Sequence, residues 1–206
     1  MLTPEKFQYI SGASNEDMIR LNIFVDQLKK WQSKVNLVSN DSLFDVWRRH
    51  ILDSTQLIPF IDPNSKNIAD IGSGAGFPGM VLAIFMRKTE TNIHLIESNA
   101  KKCAFLREVS LATEANVIIH NIRAEELKGL SCDIIVARAV ASVEKLLQFA
   151  TPILDKRGIC LFLKGKKWRD ELTRAKINWI MKETVIKSTS NSTGRVLKLE
   201  EISSND

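Results

Sequence analysis

Ala69-Asp70-Ile71-Gly72-Ser73-Gly74-Ala75-Gly76-Phe77-Pro78-Gly79 holds four of the nine glycines in this 206-residue chain. An apolar, extended segment, Asn67 to Ile71, runs into it, and an apolar helical run, Met80 to Met86, leaves it. A strand, a tight glycine turn and a helix start, in that order, make a cradle for a polar ligand. Glycine permits positive φ and close approach of the ligand, and the helix start offers unpaired N–H donors.

Outward from this stretch the pattern differs on the two sides. Residues 1–65 read as mainly helical. Met18, Leu21, Phe24, Val25, Leu28 and Trp31 recur at helical spacing between Glu16 and Lys34, with Asn15 as the expected N-cap. Asp41 to His50 reads as a second helix. From Lys66 on, short apolar runs alternate with helical ones. Strands are expected at 67–71, 93–97, 117–120, 132–136 and 158–163, and helices at 78–86, 101–113 and 143–149. This alternation predicts an α/β fold with a doubly wound, Rossmann-like parallel sheet. A helix over 168–175 and two late strands, 179–186 and 196–202, follow; the strands are expected to pair as a hairpin across the polar link 187–194. The expected organisation is an N-terminal helical extension, 1–65, packed on a main domain, 66–206.

Composition narrows the function classes. The longest clean apolar run is far too short to span a bilayer, and the N-terminus has no basic-then-apolar leader pattern. Cys103, Cys132 and Cys160 are odd in number with no Cys-x-x-Cys, so reduced buried thiols in a cytoplasmic protein are expected, and no metal site. The net charge of +5 is concentrated. Residues 157–176 carry Arg157, Lys164, Lys166, Lys167, Arg169, Arg174 and Lys176 against Asp170 and Glu171, while acids and bases balance elsewhere. Such a focus suits a polyanion such as RNA, or a solvated helix face.

Two ligands compete for the glycine turn. Gly74-x-Gly76-x-x-Gly79 fits the dinucleotide fingerprint, with Glu97 near the ribose-binding position. Asp70-x-Gly72-x-Gly74-x-Gly76 is similar to the first motif of S-adenosylmethionine-dependent class I methyltransferases, with Glu97 ending the second strand as the ribose ligand. A carboxylate offers two acceptor oxygens to a vicinal diol. Chain position favours the second reading. A helical stretch precedes the turn, and the residues after it leave little room for a hydride-acceptor domain. A nicotinamide-dependent oxidoreductase or a nucleotide-binding regulatory module is the alternative.

Further segments carry a closer resemblance. Trp47-Arg48-Arg49-His50-Ile51-Leu52-Asp53-Ser54, the glycine stretch itself, Glu97 to Arg107, Arg123-Ala124-Glu125-Glu126, Arg138-Ala139-Val140-Ala141 and Leu163-Lys164-Gly165 resemble, in order, the ribosomal RNA small subunit methyltransferase G family. Gly194-Arg195-Val196-Leu197 resembles the family's last strand only loosely. This family is also called the glucose-inhibited division protein B family. The resemblance implies methyl transfer from S-adenosylmethionine to N7 of a guanine in 16S rRNA, free or in the small ribosomal subunit; a monomer is the default expectation. It implies a cofactor site of Gly72, Gly74, Gly76, Phe77, Glu97, Ala124, Glu125 and Arg138, with Arg138 and Lys164 near the target base. Asp70 is expected to order the loop from behind. Phe77 is open between cofactor contact and packing, Arg138 between an active-site role and a structural salt bridge, and Trp168 between base stacking and core packing. His50, with Arg48 and Arg49, is open between meeting RNA near the pocket mouth and simple packing or hydration, the commoner fate of a lone helical His. N7 carries no proton, so direct displacement needs no general base and no catalytic dyad is expected.

Overall fold

The computed structural model describes residues 1–205. Helices α1 (Pro4–Ser11), α2 (Asn15–Gln32) and α3 (Asn40–Phe44) come first. A π-helical stretch, Trp47–Leu52, then runs directly into the single turn α4 (Asp53–Thr55). The alternating region contains β1 (Asn67–Ile71), α5 (Gly79–Met86), β2 (Asn92–Ile96), α6 (Ala100–Thr113), β3 (Val117–His120), β4 (Cys132–Arg138), α7 (Val143–Ala150) and β5 (Leu154–Lys164). Helix α8 (Trp168–Asn178) leads to the hairpin of β6 (Trp179–Lys187) and β7 (Arg195–Ser204). No helix among the described residues is long and apolar enough to cross a membrane.

One sheet contains all seven strands, in the order β3-β2-β1-β4-β5-β7-β6. β1 to β5 pair in parallel, and β7 pairs antiparallel with both β5 and β6. The hairpin expected across residues 187–194 therefore forms, and it joins the sheet through its second strand. Successive side chains of a strand point to opposite faces, and both faces of the central strands are buried, while the edge strands β3 and β6 are only partly covered. Ile68, Ile93, Leu95, Ile134 and Val136 meet α5, α6 and the N-terminal helices. Ala69, Ile71, Ile135, Ala137 and Phe162 meet α7 and α8. The central parallel strands are accordingly largely apolar, as a doubly covered parallel sheet requires.

Two details differ from the sequence reading. The cap of α2 is Ser14, not Asn15. Its hydroxyl accepts from the Asp17 N–H, and the Asp17 carboxylate accepts from the Ser14 N–H, a reciprocal box. The single helix expected over 41–50 is broken at Asp45, which leaves helical geometry at φ −115°, ψ 44°. Its carboxylate is taken by the Leu2 N–H and by Arg48.

Asp70 is fully buried beneath the glycine turn. Its Oδ2 accepts from the Gly79 N–H at 2.9 Å, and Oδ1 has no partner among the described residues. Burial pushes its carboxyl up to about 7, against the opposing pull of the Gly79 N–H and the Arg138 charge. A carboxyl that holds its proton more tightly when folded contributes stability that is lost as pH rises from the unfolded toward the folded value. Relative to Asp70→Asn, the wild type is expected to lose on the order of 3 kcal/mol between about pH 4 and pH 8. Urea midpoints across that range measure it. A difference between the two proteins that does not move with pH would show that Asp70 stays charged throughout.

Candidate functional site

The order of the sheet reverses between β1 and β4, and open α/β sheets bind ligands at the carboxyl ends of strands flanking such a switch. Three sequence-predicted residues meet there: Gly72 after β1, Glu97 after β2 and Arg138 ending β4. They line a cavity of about 480 Å³ together with Gly74, Phe77, Ala124 and Glu125. Leu37 and Val38, from the loop after α2, also wall this cavity.

The turn after β1 is held by its own backbone. The Gly72 and Ser73 N–H groups both donate to the Ile96 carbonyl, at 2.9 and 3.0 Å, so the turn is fastened to the end of β2. Gly72 has φ +69°, and a Cβ there would lie 2.1 Å from Val140 Cγ2. Only glycine fits between that backbone and the β4–α7 loop. The Glu97 carboxylate, nine-tenths buried, spans the cavity floor: Oε2 accepts from the Gly74 N–H at 2.9 Å and Oε1 from the Asn99 N–H at 2.7 Å. Each oxygen keeps lone-pair capacity for a further donor. Ala124 and Glu125 lie in a single 3₁₀ turn, Ala124 half-buried and Glu125 exposed, while Glu126 faces solvent. Gly76 departs from expectation. It is buried outside the cavity lining, where a Cβ would press on Met80, Leu106 and Phe24. Its smallness therefore serves packing beneath the turn.

At the opposite end, Phe77 both borders the cavity and is packed. It lines the cavity, and its ring stacks on Phe24 at 4.9 Å and on His50 at 4.7 Å. The Arg138 guanidinium sits 5.1 Å from the same ring. It donates to the Arg49 carbonyl at 3.0 Å and lies 3.6 Å from Asp53. The anion that a largely buried arginine needs is thus an internal carboxylate, and one edge of the same guanidinium still borders the cavity. Of the two readings open for His50, packing is the one the structure shows: the side chain is buried. The π-helical stretch turns Arg48 and Arg49 outward and the His50 ring inward. Both ring nitrogens lack a partner among the described residues. Burial first, then the Arg138 and Arg49 charges, push its pKa down to about 3, so the ring is neutral.

A second cavity, about 560 Å³, adjoins the first and shares Arg138, Ala139 and Val140 with it. Ala139, at φ +54°, bends the chain at the seam. Arg48, Arg49, Lys164 and Arg195 bring positive charge to its walls, against Asp53 and Glu171. Lys164 ends β5 as expected, but it is buried and bonded, 2.6 Å from Glu171 and 2.6 Å from the Ala141 carbonyl. Lys166, Lys167 and Arg169 are exposed. Trp168 is half-buried against the α7/α8 core with Arg169 and Arg195 over its ring, which favours packing. The three cysteines are free and buried; burial pushes Cys132 up to about 12.

Sequence reasoning missed the β6–β7 link. Arg48 donates to the Ser190 carbonyl, the Ser190 hydroxyl bonds Asp53, and the Thr189 N–H donates to Gln56, so the link closes over the second cavity. Gly194-Arg195 was the available signal. Asp53 and Glu171 were also missed as cavity residues, although Glu171 is one of only two acids in the basic stretch.

The comparisons agree with one another. The chain is 44% identical over 200 residues to "Ribosomal RNA small subunit methyltransferase G" of Paramagnetospirillum magneticum, covering 97% of this chain and 96% of that protein. It is 44% identical over 192 residues to the protein of the same name from Gluconobacter oxydans, covering 93% and 97%. In structure it is similar to M. jannaschii TYW2 in complex with AdoMet, with a TM-score of 0.56 at 16% identity over 84% of this chain and 80% of that one; at that identity the likeness shows the fold. Residues 17–199 match the sequence profile of the rRNA small subunit methyltransferase G family, and the chain belongs to that family.

Proposed function

We infer that this protein transfers a methyl group from S-adenosylmethionine to N7 of a guanine in 16S rRNA, with the first cavity as the cofactor site and the second as the entry for the target nucleotide. Family membership supports the reaction. The observation that carries the assignment of sites is the shared wall. One cavity with a buried carboxylate and one ringed by arginines meet at Arg138, Ala139 and Val140.

The residues fit the cofactor. About 480 Å³ is in the range of small-molecule sites. Glu97 supplies acceptors for a ribose diol, Ile96, Ile122 and Phe149 supply apolar surface for a flat base, and Arg138 supplies a cation at the far end for a carboxylate. Bound there, S-adenosylmethionine supplies an electrophilic methyl group on a sulfonium. The chain's own part is positioning. Guanine N7 attacks with a lone pair that carries no proton, so no side chain has to act as base. Phe77 and the turn fix one reactant, and the walls of the second cavity fix the other, which lowers the entropic cost of reaching the transition state and keeps water out. The exposed Lys166, Lys167 and Arg169, with Arg49 at the mouth, suit contacts to RNA phosphates. In this reading residues 1–65 are an extension that supplies one wall of the cofactor site through Leu37 and Val38, and 66–206 are the methyltransferase domain. We take the protein to act as a monomer in the cytoplasm, in line with its free cysteines.

The direct test incubates the protein with small subunits from cells lacking the gene and with methyl-labelled S-adenosylmethionine. Mass spectrometry of the digested rRNA is expected to find 7-methylguanosine; label on another nucleoside, or none, overturns the reading. Glu97→Ala is expected to weaken S-adenosylhomocysteine binding by roughly 10- to 100-fold in calorimetry, since hydrogen bonds to a charged group contribute about 1.5–3 kcal/mol, while the circular dichroism spectrum is unchanged. Undiminished affinity would remove Glu97 from the cofactor site. Replacing Lys166, Lys167 and Arg169 with Ala should make the salt dependence of rRNA binding shallower by about 2 in log–log slope. An unaltered slope would make the stretch a solvated face.

A further inference from the structure

The second cavity contains a group that phosphate binding does not explain. Glu171, in the first turn of α8, places a carboxylate among Arg48, Arg49, Arg138 and Arg195. A carboxylate repels phosphate oxygens, so a cavity built only for the RNA backbone has no use for it. Its environment is well defined. Oε2 accepts from Lys164 Nζ at 2.6 Å and from the Val143 N–H at 3.2 Å, which fixes the carboxylate between β5 and the start of α7. Oε1 carries no hydrogen bond among the described residues. The side chain keeps 25% of its surface exposed, whereas that of Lys164 keeps 6%. Lys164 directs its ammonium to two acceptors, Glu171 and the Ala141 carbonyl, and an ammonium has three donors. The cavity therefore presents a spare acceptor and a spare donor side by side, from a pair held in place by two backbone groups of the β4–α7 junction.

We infer that Lys164 and Glu171 read the Watson–Crick edge of the methyl-accepting base and select guanine. This rests on the assignment of the second cavity to the target nucleotide. Guanine presents O6, an acceptor, directly beside N1–H and the N2 amino group, both donors. Lys164 donates to O6, and Glu171 accepts from N1–H and N2–H. Adenine presents the reverse, an amino donor at C6 beside an acceptor at N1, and meets the same pair with donor against donor and acceptor against acceptor. Sites that hydrogen-bond their substrate reject such analogues strongly, because buried polar groups are then left unpaired. On guanine, N7 lies on the side of O6 away from N1. A base held by this edge leaves N7 uncovered, as methyl transfer requires. Reading that edge also demands a base free of its pairing partner, so the target guanine is unpaired or is extruded when it enters.

The test uses small subunits reconstituted on 16S rRNA that carries guanosine or, by splinted ligation, inosine at the methyl-accepting position. Inosine keeps O6, N1–H and N7 and lacks only the N2 amino group. The wild type is expected to prefer guanosine by roughly tenfold in kcat/KM, one hydrogen bond to a charged group. Glu171→Ala and the milder Glu171→Gln, which can still accept from the Val143 N–H, are expected to bring that ratio close to one. S-adenosylhomocysteine binding, measured alongside, should stay unchanged as the check on folding. A wild type indifferent to the N2 amino group overturns the inference, as do variants that slow both substrates equally and preserve the ratio. A wild type that fails to methylate the guanosine substrate at all overturns the proposed function, and this inference falls with it.

Discussion

The Phe77 ring is where the separate parts of this protein are made to agree. It stacks on Phe24 of α2 and on His50 of the π-helical stretch, and the Arg138 guanidinium of β4 lies against it. Aromatic pairs at such distances contribute about 0.5–1.5 kcal/mol each beyond the area they bury. The gain in geometry exceeds the gain in energy. The glycine turn cannot shift without moving α2, the π-helical stretch and the end of β4 together. A neutral His50 is part of this arrangement. A protonated ring would have to lie, buried, beside Arg138 and Arg49, and both burial and those charges oppose it. The fixed aromatic surface also gives Arg138 a face to lie on, so its orientation does not depend on the Asp53 carboxylate alone.

The two cavities are built by different means. The first is shaped by backbone: positive-φ glycines, N–H donors to Ile96, and a carboxylate that bridges the turn to Asn99. The second is shaped by side chains from distant segments. Asp53 serves both Arg138 and Ser190, and Gln56 holds the link through Thr189. A site that must recognise a small, constant ligand gains from backbone rigidity. The polar walls of the second cavity sit on loops and element ends, where adjustment is less costly.

This difference decides what was legible in the sequence. Gly72, Gly74 and Glu97 were readable because strand, turn and helix start determine their relative placement within about thirty residues. The alternation of apolar strands and helices was readable for the same local reason, and it gave the sheet and the closing hairpin. Asp53, Glu171, Ser190 and Arg195 were not, since they meet only when α4, α8 and the hairpin link converge. His50 stayed open between RNA contact and packing because the π-helical stretch changes the residue-to-face relation that ordinary helical spacing assumes. Gly76 was misread: a motif position was taken as ligand contact when packing against Met80, Leu106 and Phe24 explains it. The Asn15 cap was a near miss, since Ser14 and Asp17 form the reciprocal pair one position earlier.

Helix α5 gives the reason the N-terminal helices are part of the architecture. Every residue of Gly79–Met86 except Phe85 is buried, and the helix has no polar face. A helix at the surface of a sheet needs one apolar stripe, and a helix apolar on all sides needs neighbours on all sides. The sheet covers one side of α5, and α2 and α4 pack on it as well. The ion pair of Arg87, at the end of α5, with Asp17 in the first turn of α2 fastens the two helices where that cover begins. The same helix carries the N-terminus that Asp70 caps through Gly79. Residues before the first strand therefore complete the burial of the helix on which the glycine turn is mounted. The helical segment and the α/β region share one core, and the shape of the first cavity depends on both.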